Sequence, residues 1–206
     1  MAADGTTLNG TLYGVGDTAL VLSNMGDNDP TAWERLAPML AEQGYLVLTY
    51  SFRYSTRTST FTSAMANQTV DDLQAAVAFV QERGAEKLVL IGASLGGMAT
   101  AKVAATIQPS AMIILAAPAD LLEFDFQVAA SELAVVTAPK LFIASQDDTI
   151  VPIAATQHMF DLAAEPKEFQ IYDSSAHGVQ LLTTNHAADL RQRLIDFIRE
   201  NAPRTE

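Results

Sequence analysis

The chain has 206 residues, 49% hydrophobic and 17% charged, with 12 basic against 24 acidic side chains and a formal net charge of −12. That length suits one globular domain, 1–206, able to bury roughly 70% of its unfolded surface, and the composition is far from that of a disordered segment. The acidic balance, with no Lys/Arg cluster to neutralise phosphates, argues against nucleic acid or an anionic membrane as a partner. The lack of cysteine excludes disulfides, thiolate metal sites and a cysteine nucleophile.

The opening "MAADGTTLNG" has no basic start followed by an apolar core, so no secretory leader is visible. Apolar runs such as "AMIILAA" at 111–117 are far shorter than the roughly 20 residues that cross a bilayer. A soluble, cytoplasmic protein is the expectation.

In chain order, "LNGTLYG" (8–14) reads as an edge strand ending in glycine, and "ALVLSN" (19–24) as a second strand. Thr31 with Glu34 makes a capping box that opens a helix stopping before Gly44. "YLVLTY" (45–50) is the third strand. The Ser/Thr-rich segment "STRTSTFTSAMANQT" (55–69) reads as a solvated loop between strand and helix, the alternative being a mobile loop at the sheet's carboxyl edge, where ligands bind in open α/β folds. A helix over 69–83 places Val70, Leu73, Val77 and Val80 on one stripe and ends at Gly84.

"KLVLIG" (87–92) runs straight into a helix over 95–107 that stops before Pro109. The strands "AMIILAA" (111–117), "KLFIAS" (140–145) and "EFQIYD" (168–173) follow. Pro152 suits a first helical position, opening a helix to about Leu162. The closing helix, 185–201, is amphipathic through Leu190, Leu194, Phe197 and Ile198. Several strands are apolar at consecutive positions, as strands buried on both faces should be. The alternation predicts an α/β fold: a doubly wound, mostly parallel sheet with helices on both faces.

One stretch spends unusual backbone freedom around a hydroxyl. Gly92-Ala93-Ser94-Leu95-Gly96, a G-x-S-x-G motif, falls where a strand ends and a helix begins. Such a turn can hold a serine clear of the sheet as a nucleophile. It also leaves the Leu95 N–H at a helix N-terminus, where developing negative charge is favoured.

A serine needs a base, and the chain offers three histidines. His158 lies within a helix and His186 in the first turn of another. His177, in "SSAHGV", follows the last strand at the carboxyl edge, from which a loop imidazole can reach Ser94. An acid must orient the ring. Asp147 and Asp148 in "QDDTIVP" both qualify, with Asp120 in "AAPAD" as a further candidate.

With "GASLGG", "DDTIVP" and "SAHG" in this order, the chain resembles the α/β-hydrolase superfamily over nearly its whole length, as a small esterase-like member. In that family the acid commonly lies four residues before the proline, which selects Asp148. The resemblance implies a serine hydrolase cleaving carboxylic esters through an acyl-enzyme, with Ser94 as nucleophile, His177 as general base and acid, and Asp148 orienting it. No metal or organic cofactor is implied, and the partner is a small-molecule ester. The alternatives are thioester hydrolysis, acyl transfer or perhydrolysis on the same triad, and a catalytically silent fold used for binding. The acidic surface suits polyanionic carriers such as coenzyme A poorly.

Two departures from the family bear on rate and access. Most relatives carry His-Gly after the strand leading into the first helix, and the next N–H completes the oxyanion hole. Here the position reads "LSNMGDND", so that Met25, or Gly26 if the register slips by one, joins Leu95 as donor. "DND" reads as turn and cap residues. Only residues 118–139 are available where relatives insert a lid, enough for a short helix and no large cap domain. Leu121, Leu122, Phe124 and Phe126 in that connection read equally as an acyl pocket or as an ordinary amphipathic connector.

Overall fold

The computed structural model describes residues 1–54 and 60–203. Seven strands form one sheet: β1 (Gly10–Tyr13), β2 (Thr18–Ser23), β3 (Leu46–Tyr50), β4 (Lys87–Ala93), β5 (Ala111–Leu115), β8 (Lys140–Ser145) and β9 (Lys167–Tyr172), in the order β1-β3-β2-β4-β5-β8-β9. Only β1 runs antiparallel, against β3.

Alternation inside the apolar runs explains the sheet. Ala19 and Val21 of β2 join one buried cluster while Leu20 and Leu22 join the other. In β4, Leu88 and Leu90 divide from Val89 and Ile91 in the same way. Each face must therefore be roofed. The first is covered by α2 (Ser63–Gln81), α3 (Leu95–Ile107), α4 (Ala130–Val135) and α5 (Ile153–Leu162), through Leu73, Met98, Leu133 and Met159. The second is covered by α1 (Ala37–Glu42) and α6 (Ala187–Asn201), through Leu40, Leu190 and Phe197.

Two helix starts differ from the sequence reading. No capping box forms at Thr31, because Asp29 captures both the backbone N–H and the hydroxyl of Thr31. The chain then proceeds through turns around the buried Trp33 until α1 begins at Ala37. Conversely, α2 begins six residues before the expected Thr69. Thr62 caps it, its side chain accepting the Met65 N–H at 3.3 Å. Hydroxyl richness there marks a cap, and Ala64, Met65, Ala66 and Gln68 are competent helix formers. Residues 55–59 of the expected loop lie outside the described residues.

Between β5 and β8 the chain forms a small hairpin, β6 (Asp120–Leu121) with β7 (Phe126–Gln127), and then α4. There is no cap domain. Three of the four apolar residues of this connection pack on the same buried cluster, Phe126 within it and Leu121 and Phe124 at its edge, while Leu122 is exposed; the Phe124 ring meets Phe61 edge-on at 4.8 Å.

Candidate active site

Ser94, Asp148 and His177 each follow the carboxyl end of a parallel strand, β4, β8 and β9 respectively, and so belong to one rim of the sheet. Ser94 has φ +51° and ψ −121°, a region sparsely occupied by residues with a Cβ and a source of local strain. Its backbone is held on both sides. The N–H donates to the Leu115 carbonyl at 2.8 Å, and its carbonyl accepts from Gly97 and Met98. The side chain is half-buried.

Asp148 and His177 meet directly. Nδ1 of His177 lies 2.7 Å from Oδ2 of Asp148, with both residues about 95% buried. The other carboxylate oxygen, Oδ1, accepts the N–H groups of Ile150 (2.8 Å) and Val151 (3.0 Å), so the carboxylate is fixed from two directions. The loops bearing these residues are also laced together: Gln146 N–H donates to Tyr172, Asp147 N–H to Ser174, and the Ser145 hydroxyl to Ala176. Asp147 and Asp120 are exposed. Asp120 lies in the β6–β7 hairpin, away from this pair. His158 is exposed on α5, and His186 precedes α6 with Nε2 2.9 Å from the Asp173 carbonyl oxygen.

The turn after β2 completes the rim. Ser23 ends the strand in register with Gly92, and Asn24 and Met25 follow. A Cβ on Gly96 would overlap the Asn24 carbonyl oxygen, so glycine there lets the turn seat on the start of α3. Gly178, at φ +52°, does the same for the histidine loop, where a Cβ would stand 2.8 Å from Met25 Sδ and 3.3 Å from Ala93 Cβ. The Met25 side chain thus packs beneath the turn carrying His177, and Ala93 adjoins Ser94. Leu95 is the first residue of α3, so its N–H has no partner within the helix.

Sequence reading missed what anchors this turn. The Asn28 side chain spans to the segment after β3, donating from Nδ2 to the Phe52 and Tyr54 carbonyls (both 2.9 Å) and accepting the Phe52 N–H (2.8 Å). The Tyr54 hydroxyl donates to the Gly26 carbonyl at 3.2 Å, and the Ser23 and Tyr50 hydroxyls are 2.9 Å apart. Burial pushes both phenols well above the ordinary tyrosine range, so both remain protonated. The local signal was Asn28 itself, read only as a turn residue.

A cavity of about 220 Å³ opens beside Met25, lined also by Asp27, Thr31, Arg35, Val179 and Gln180. Among the described residues no three His, Asp or Glu side chains gather to hold a metal ion, and no helix is long and apolar enough to cross a membrane.

A mostly parallel sheet with helices on both faces, and a serine and an imidazole–carboxylate pair on its carboxyl rim, define the α/β-hydrolase class without a cap domain. Residues 21–134 match the alpha/beta hydrolase fold family, and the chain belongs to it. The fold is similar to that of the esterase domain of a Rhodothermus marinus protein (21% identity, 97% of this chain and 95% of the other, TM-score 0.76). It is also similar to a lidless serine hydrolase from Xanthomonas campestris (22%, 97% and 91%, 0.72) and to an enol-lactonase from Burkholderia xenovorans (14%, 95% and 97%, 0.75). No curated protein matches the sequence.

Proposed function

We propose that the protein is a serine hydrolase that cleaves small carboxylic esters through an acyl-enzyme. The observation that carries this reading is the 2.7 Å contact between His177 Nδ1 and the buried Asp148 carboxylate, on the same rim as Ser94. With Nδ1–H donating to Asp148, the lone pair of Nε2 is left to take the Ser94 proton as the hydroxyl attacks the ester carbonyl. The N–H groups of Leu95 and Met25 stabilise the oxyanion of the tetrahedral intermediate. His177 returns the proton to the leaving alcohol, then takes one from the water that attacks the acyl-enzyme, and Ser94 is regenerated.

Met25 is favoured over Gly26 as the second donor because Ser23 and Asn24 stand at the strand end that relatives fill with His-Gly, which makes Met25 the next N–H. The test is hydrolysis of p-nitrophenyl acetate. The wild-type protein is expected to turn it over, and Ser94→Ala to lose about 10⁴-fold or more in kcat. Activity retained in Ser94→Ala would assign the nucleophile elsewhere.

A further inference from the structure

We infer that Asn28, assisted by Tyr54, is the positioning residue of the oxyanion hole. The inference rests on the proposal that an N–H of the 25–26 turn receives the oxyanion.

A trans peptide is planar, with its N–H pointing opposite its carbonyl, so fixing a carbonyl aims the N–H of the following residue. Three consecutive carbonyls of this turn are fixed. That of Asn24 is seated against the backbone of Gly96, that of Met25 accepts the Asn28 N–H at 3.0 Å, and that of Gly26 accepts the Tyr54 hydroxyl. The first two planes contain the N–H groups of Met25 and Gly26, one held against Gly96 and the other by the Asn28 N–H, and the third, held by Tyr54, joins Gly26 to Asp27 and closes the turn.

Asn28 ends the turn at φ +53°, a conformation that asparagine tolerates better than most side chains. It uses both functions of its amide on the backbone of Phe52 and Tyr54, three hydrogen bonds in all. That anchorage is itself stiff. The Tyr50 ring meets Phe52 edge-on and Phe52 stacks on Tyr54, with centroids 5.6 and 5.7 Å apart, and all three residues are buried. The turn is thus gripped between the start of α3 and an aromatic ladder. Without the Asn28 side chain, the residue whose N–H holds the Met25 carbonyl loses its own anchorage to Phe52 and Tyr54.

Donors aimed at the oxyanion act on the tetrahedral state and little on the bound ester, so loosening them lowers kcat while KM holds. The experiment compares Asn28→Gly and Tyr54→Phe with wild type on p-nitrophenyl acetate, well below each protein's unfolding midpoint. Glycine removes the side chain while keeping the left-handed backbone free of strain. Asn28→Gly is expected to lose about 10- to 100-fold in kcat, less than outright deletion of a donor. KM should stay within about twofold, and the midpoint of the pH–rate profile should not move, since His177 and Asp148 are untouched. Tyr54→Phe, which removes one hydroxyl, should lose kcat in the same direction by a smaller factor.

Wild-type kcat in both folded variants would overturn the inference. So would a loss confined to KM, or a displaced pH midpoint. If Asn28→Gly does not fold, Tyr54→Phe decides alone by the same criteria. Wild-type protein without Ser94-dependent hydrolysis defeats the hydrolase reading, and this inference with it. A loss of kcat at constant KM and unmoved pH midpoint, beside an active wild type, is the result that assigns the effect to the turn.

Discussion

Two carboxylates are buried near the carboxyl rim, and they are held in opposite ways. Asp72, on α2, is fully buried against Arg53, whose Nε donates at 2.7 Å and whose backbone N–H donates at 2.9 Å to the other oxygen. Arg53 also pairs with Asp4. Burial pushes the Asp72 carboxyl up while the guanidinium works against it, and the same contact holds Arg53 charged. Asp148 faces an imidazole and two backbone N–H groups. A guanidinium never gives up its proton, so the first pair can only hold structure. An imidazole can lose and regain one at neutral pH, so the second can cycle. Burial alone does not single out a candidate catalytic carboxylate; in the proposed mechanism the chemistry of its partner does.

The largest effect that sharpens this contrast is on rate. Asp148→Asn keeps the shape but loses the charge that orients and stabilises the ring, and kcat should fall by about 10⁴-fold. Asp72→Asn should leave the kcat of the folded protein within a few fold and show its effect in urea unfolding. Equal losses of rate in the two variants would erase the distinction.

The next effect is on stability. Arg53→Met strands a buried carboxylate and should cost about 3–5 kcal/mol. Adding Asp72→Leu should restore most of that loss, because a well-packed apolar pair replaces a buried ion pair at little cost. A double variant as unstable as the single would show that Arg53 acts through something other than Asp72.

The smallest effect concerns a buried charge of a third kind. Lys140 is fully buried, its Nζ donating to the Val136 and Ala138 carbonyls at 2.8 and 2.6 Å, and burial lowers its pKa. The folded protein therefore sheds this proton at lower pH than the unfolded chain, and the unfolded chain holds more protons between the two values. The contribution of residue 140 to stability should rise as pH climbs through the lowered folded value toward that of free lysine. Compared by urea unfolding between pH 7 and pH 10, wild type should gain on Lys140→Met, and a constant difference would contradict the burial cost.

The strands were legible because burial on both faces leaves continuous apolar runs, and α3 because the Gly-rich turn and Pro109 bracket it. The starts of α1 and α2 were not. Asp29 takes the Thr31 N–H that Glu34 would accept in a capping box, and Thr62 caps a helix inside a segment whose composition suggests a loop. At the candidate site, the positions of Ser94, His177 and the Asp147–Asp148 pair were legible because each sits just beyond a recognisable strand, whereas the choice of Asp148 came from the family resemblance. The Asn28 clamp was not, because its partners lie 24 and 26 residues away and leave no local periodicity.

The account stands most directly on one measurement: labelling with a fluorophosphonate probe, with the adduct located by mass spectrometry. A single adduct on Ser94, absent in Ser94→Ala and formed far more slowly in His177→Ala, is the predicted result. No adduct on the folded wild-type protein, or an adduct on a different serine, would contradict it.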